Sequence, residues 1–446
     1  MIGSSFHIPT VLGRIRVFLL DAFWIVPALA TIAALLLARW TSTLDYTTPI
    51  RFGGLLTTSG PSGARDMVQT VANSSLSVVT LVFSIMIVVL QVAGSQYSPR
   101  LPAQFLRDMT TQVVLGIFVF TFVFSLSIVR SIGAASDFVP TFAVTACFLA
   151  AIFCVAAFIH FIHHTVHSMR VEMVLDHIRE ETVSTLRRRQ RRHDPSVEFA
   201  EMPIIPDHAA PLFCPVVGTL QNLDGSGLVE TAKSEGVVVC FVVLNGDTLA
   251  AGTPIAWIWK GDAKPRSDCM ERLDKRIRKI IQLGNERTFR SDFGFGIIQL
   301  IDIALRSLST AVNDPTTACM SIRAIEGVMS ELARGNPRTR HFCDDDGELR
   351  VVVPERSFAD YLGDAVGSIS RAAPDDVMVG KALLGLLHDL AYAARSVRHK
   401  SAVAAQVTRV EQLCLNAMTD DCDRSEIRVS VMRSRRALRG EPPVYL

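Results

Sequence analysis

The sequence predicts a polytopic α-helical membrane protein with about four transmembrane helices and a C-terminal cytoplasmic α+β domain. That domain reads as a small β module with a mainly helical remainder. Three observations carry this reading. Hydrophobic residues make up 49% of the 446 residues, with a mean hydropathy of +0.32. The apolar excess is concentrated before about residue 165, in runs long enough to cross a bilayer. After about residue 170 the chain becomes charged and its apolar periods shorten, as in a water-soluble domain.

The first run covers about 17–39, VFLLDAFWIVPALATIAALLLAR, and ends at Arg39-Trp40 without a small-residue cleavage site, so it reads as an uncleaved span. The second covers about 71–93, the third about 112–131 and the fourth about 139–162. Gly133 and Asp137 lie in the short turn between the last two, a tight helical hairpin. Arg14 and Arg16 precede span one, Arg100 and Arg107 lie between spans two and three, and Arg170 to Arg192 follow span four. Arg51 and Arg65 fall on the other side. The balance predicts both termini in the cytoplasm of a bacterial inner membrane. Residues 41–70, rich in Thr, Gly, Ser and Pro, read as an external loop.

The expected organisation is a transmembrane domain over 1–169, a juxtamembrane helix and linker over 170–210, a β-rich module over 211–265, a helical domain over 266–425 and a loosely held basic tail over 426–446. Strands are expected at 212–220, 237–244 and 255–259, with Asn245-Gly246-Asp247 as a hairpin turn. Helices are expected at about 270–284, 293–309, 315–334, 357–371, 375–399 and 402–418. The acidic turn Asp344-Asp345-Asp346-Gly347 and the run LRVVV interrupt that series.

Span two carries the most information. Asn73, Ser77, Thr80, Ser84, Gln91, Ser95 and Ser98 recur at spacings that place them within an arc of roughly 60° on a helix. Such a stripe faces protein or water rather than lipid. It can line a pore, where hydroxyls and amides replace part of an ion's hydration shell. It can equally serve helix packing, which also favours small and hydroxyl residues. Asp21, near the start of span one, is an intramembrane acid or a hydrated interfacial one. His160, His163, His164 and His167 share one face where span four ends. They are candidates for metal binding or pH sensing, against an ordinary interfacial role.

RRRQRR (187–192) next to a membrane domain fits the inside-positive rule and anionic lipid contact, and nucleic acid is not an expected partner. Asp292-Phe293-Gly294 occurs without a kinase glycine loop or catalytic loop. No nucleophile, base and orienting acid can be assembled, so enzyme activity and a cofactor are not expected. Asp292 can cap a helix whose apolar face includes Ile297, Leu300, Ile301, Ala304 and Leu308. Asp302 and Arg306 are spaced as a favourable ion pair, and Asp314-Pro315 is a helix-start signal. The same segment, around Asn313 and Asp314, could recognise a partner or ligand.

Two segments resemble a known family. FSIMIVVLQVAGSQYSPRL (83–101) resembles a Ser- and Gln-bearing span that ends in SQ-aromatic-SPR, carried here by Gln96, Ser98, Pro99 and Arg100. DFGFGIIQLIDIALRSLSTAVNDPTTA (292–318) resembles its second motif, carried by Asp302, Arg306, Asn313, Asp314 and Pro315. FIHH (161–164) and GDTLAAGTPIAWIW (246–259) are also similar. The family is the bacterial predicted-membrane-protein family named domain of unknown function 2254. The resemblance implies a multispan inner-membrane protein with a cytoplasmic C-terminal domain and supplies no activity. Ser-Thr-Ala-Val stands before Asn313 where the family more often has Ser-Pro-Ala-Ile, which implies a softer helix break.

The functional expectation is a homo-oligomeric ion channel or channel-like transporter with span two lining the path. Its partners are the lipid bilayer and inorganic ions. The alternative is a membrane scaffold or sensor whose cytoplasmic helices bind a partner, with a metal-linked enzyme a distant third.

Overall fold

The computed structural model of the chain describes residues 24–47, 60–96, 108–132, 140–191, 197–284, 287, 292–335 and 339–442. Asp21, Ser98, Pro99 and Arg100 lie outside the described residues, as does the turn with Gly133 and Asp137. The chain divides into two compact units, Met1–Arg170 and Val171–Leu446.

Among the described residues, the first unit holds four helices long and apolar enough to cross a membrane: α1 (Ile25–Thr47), α2 (Pro61–Gln96), α3 (Met109–Ser131) and α4 (Thr141–Ser168). The third is the central one, with much of its surface buried, including Val114, Leu115, Phe118, Phe124 and Ile128. Its neighbours meet it in two apolar layers. Ala34 and Ala38 of α1 and Ala143 and Cys147 of α4 surround Phe124 and Ile128. Val82 of α2 with Cys154, Ala157 and Phe161 of α4 surrounds Phe118. At Gly116 a Cβ would come within 3.2 Å of Val26, so the small residue lets α1 approach α3 closely. Leu29, Ile32, Leu36, Ile152, Phe153 and Ile159 point outward, an apolar surface that a bilayer covers.

Both ends of the expected loop 41–70 are helical: α1 runs on to Thr47 and α2 starts at Pro61. Proline suits the first helical position, and Ala64, Val68 and Ala72 recur every fourth residue on the packed face. The fourth helix likewise runs past residue 162 to Ser168.

The second unit begins with α5 (Val171–Arg191) and combines two sheets with a helical layer. Its strands are β1 (Val197–Ala200), β2 (Ala210–Phe213), β3 (Gly218–Leu223), β4 (Val238–Phe241), β5 (Thr248–Leu249), β6 (Pro254–Trp259), β7 (Ile281–Gly284), β8 (Thr339–Cys343) and β9 (Leu349–Val353). One sheet has the order β1-β8-β9-β4-β6-β2 and the other β5-β3-β7. The module therefore extends beyond 211–265. Residues 339–353, read from the sequence as an interruption between helices, form a hairpin that pairs with β4 in parallel, Val239 opposite Val351. Residues 281–284, expected to end a helix, form a strand against β3. Helix α6 (Ser226–Glu235) lies between β3 and β4, where none was expected, and ends at Gly236 with φ 67°. Helix α7 (Ser267–Ile280) turns Leu273 and Ile277 onto the β-rich core.

The helical layer comprises α8 (Phe293–Ser307), α9 (Pro315–Arg334), α10 (Phe358–Ala372), α11 (Val377–Ala393), α12 (Val397–Ala417) and α13 (Asp421–Leu438). Local capping chemistry sets their starts. Ser357 and Asp360 form a capping box, and Asp376, Ser396 and Asp420 each accept from backbone N–H groups of the first turn. The Ser396 cap is why the apolar stretch 375–399 divides at residue 394 instead of continuing. Residues 426–438 are not a loose tail. They belong to α13, which buries Ile427, Val431 and Ala437, and its Ser434 hydroxyl donates to the Leu384 carbonyl at 3.0 Å.

Candidate functional site

The first candidate is the polar face of α2. Val68, Ala72, Val82, Met86 and Ala93 form its packed side, while Asn73, Ser77, Thr80, Ser84 and Gln91 are all exposed. At 100° per residue the polar stripe is centred about 150° from the packed side. It therefore faces away from the other described helices of its own unit. Leu81, Phe83, Ile87 and Val88 flank it as ordinary outward apolar residues. The hydroxyls of Ser77, Thr80 and Ser84 donate to the carbonyls of Asn73, Leu76 and Thr80, at 3.0, 3.2 and 2.9 Å. Such back-bonding satisfies the donors locally and leaves each oxygen as an acceptor. The backbone at Ser95 and Gln96 continues the helix, but their side chains lie outside what the structure describes.

The second candidate is the histidine face of α4. His160, His163 and His167 are exposed and His164 is half-buried. The rings pair at helical spacing: His163 and His167 have centroids 4.6 Å apart, and His160 and His164 6.2 Å. His164 Nε2 lies 3.0 Å from Asp108 Oδ2. Asp108 is the N-cap of α3, accepting from the Thr111 N–H at 2.9 Å and the Thr111 hydroxyl at 2.7 Å. The carboxylate beside the histidines thus comes from another helix. An Asp directly before Met-Thr-Thr and an apolar run is itself a readable cap signal. Among the described residues, no three His, Cys, Asp or Glu side chains gather as a metal-holding group.

The third candidate is the segment 292–318. Helix α8 buries Phe293 through Ile297 almost all round, together with Leu300, Ile301 and Ala304. Asp292 occupies the N-cap position but, contrary to the expected capping role, its side chain makes no capping hydrogen bond; it is only 6% exposed, and its Oδ2 has no hydrogen-bond partner. Burial raises its pKa above the ordinary carboxylate value, against the pull of Arg287 and Arg189. Around it stand Tyr361, whose hydroxyl burial also pushes up, and a shared ion cluster. Glu355 pairs with both Arg189 and Arg340, the latter at 2.6 Å. Burial pulls Arg340 down, and Arg189 beside it adds to the effect. The Arg189 guanidinium lies 5.8 Å from the Phe293 ring centroid. Residues far apart in sequence thus converge on the start of the motif.

The end of the motif has structural roles. Asp314 caps α9, accepting from the Thr317 N–H at 3.1 Å and hydroxyl at 2.6 Å, which holds its pKa low. Asn313 takes a positive φ of 49°, and the Asp314 N–H donates to the Ser307 carbonyl at 2.7 Å. The break between α8 and α9 is therefore sharp, despite the departure at residues 309–312. Asp302 and Arg306 lie half-buried on α8.

Four apolar, membrane-length helices followed by a separate unit of helices and strands define a polytopic membrane protein with a C-terminal domain. The chain belongs to the family described as "Predicted membrane protein (DUF2254)", which matches residues 21–389. It is similar to uncharacterized protein Mb1321c of Mycobacterium bovis, 31% identical over 414 residues, which cover 92% of this chain and 79% of the relative. Uncharacterized proteins Rv1290c and MT1328 of Mycobacterium tuberculosis match at the same identity and coverage. No solved structure matches the chain.

Proposed function

We propose that this protein is a homo-oligomeric ion channel or channel-like transporter of the bacterial inner membrane, with α2 lining the pathway. The observation that carries the reading is the direction of the polar stripe. Packing against the other described helices does not explain it, because the stripe lies opposite the packed face. Asn and Gln amides exposed to lipid would leave donors and acceptors unsatisfied. A neighbouring copy or a water-filled path between copies satisfies them, and hydroxyl oxygens along the path can take over part of an ion's hydration shell. The Asp108–His164 contact supports the expected topology, since it puts the start of α3 and the end of α4 on one side, flanked by Arg107 and Arg170.

The second reading, a scaffold or sensor, is favoured by one observation. Ser77, Thr80 and Ser84 already satisfy their donors on their own helix. Planar-bilayer recording of purified protein separates the two. The channel reading expects discrete current steps that disappear in a Ser77→Leu, Thr80→Leu, Ser84→Leu variant whose assembly is unchanged. Currents unaltered by these substitutions remove α2 from the pathway.

A further inference from the structure

We propose that His163 and His167 form a divalent transition-metal site on the exposed face of α4. The inference does not rest on the pore reading. Helix α4 has 28 residues, about 42 Å of helix, against a hydrocarbon core of about 30 Å. From Thr141 to Ile159 it carries neither a charged residue nor a histidine, and the four histidines begin at residue 160. The imidazoles therefore occupy the part of the helix that exceeds the hydrocarbon.

Ring separation distinguishes the two pairs. With metal–nitrogen bonds of about 2.05 Å, each ring centroid sits about 3.2 Å from the ion. Two ligands at angles of about 90–109° then have centroids roughly 4.5–5.2 Å apart. His163 and His167 stand at 4.6 Å with their planes 35° apart, and both are exposed. His160 and His164 stand at 6.2 Å, which would need an angle of about 150°. His164 also already has one ring nitrogen against Asp108. Histidines at i and i+4 project from one helix face and can chelate one ion. Two neutral imidazoles suit zinc, copper, nickel or cobalt rather than magnesium or calcium. With two protein ligands from a protomer, the remaining positions stay open to water or to a second molecule.

The test uses full-length protein with a histidine-free affinity tag, in lipid nanodiscs, titrated with Ni²⁺ by calorimetry and with Cu²⁺ by electron paramagnetic resonance. The expected results are one ion per protomer and a copper spectrum with two equatorial nitrogens. His163→Ala and His167→Ala should each weaken binding by about tenfold or more, and His160→Ala should leave it unchanged. Both histidines are exposed and alanine favours helix, so folding is retained and helical circular dichroism checks it. Absence of saturable binding in the wild-type protein overturns the assignment. So does affinity unmoved in the His163→Ala, His167→Ala double variant, or lost equally in His160→Ala.

Discussion

Glu326 of α9 faces Asp389 of α11, close to Arg323, and burial together with the second carboxyl pushes it up to about 7. A carboxyl that holds its proton more tightly in the folded chain stabilises the fold fully below its unfolded value of about 4.5. That contribution declines as pH rises and is lost above the folded value. Glu326→Gln removes the titration. The stability of wild-type protein relative to this variant should therefore fall between about pH 5 and about pH 8. A difference that stays constant across that range would show that the pair does not share a proton. Neither this pair nor Asp108–His164, whose members are 56 positions apart, is legible in the sequence, because spacing along one helix says nothing about a partner on another. The four-histidine face was legible for the opposite reason: its members share one helix.

Elements were legible where they carry their own signals. The Asp314-Pro315 start of α9 follows from cap chemistry, and the four spans follow from length and apolarity. Helix α13 shows where such reading fails. Its arginines suggest a loose tail, yet Ile427, Val431 and Ser434 recur on one side and pack. The start of α8 depends on a residue with no side chain. A Cβ at Gly294 would lie 2.5 Å from the Tyr361 hydroxyl and 2.9 Å from Asp292 Oδ1. Tyr361 is only 6% exposed and has little room to yield. Gly294→Ala should therefore destabilise the second unit by about 1–3 kcal/mol, read as a lower denaturation midpoint. An unchanged midpoint would mean that Tyr361 and Asp292 rearrange freely.

At the scale of the molecule, the larger sheet joins strands from residues 197–200, 210–259 and 339–353, including one parallel pairing between β4 and β9. Local patterns name such strands but not their partners, so the β module looks smaller in the sequence than it is. The polar stripe has the same character. Its spacing was readable, but its direction, away from the other described helices, required the packed helices. That direction is the basis of the pore proposal. The most direct test is aqueous thiol labelling of single cysteines along α2 in the assembled membrane protein, corrected for the wild-type background. The account predicts labelling at residues 77, 80 and 84, with protection at the lipid-facing positions 81 and 83. Uniform protection through all five positions would contradict a water-filled path along this face.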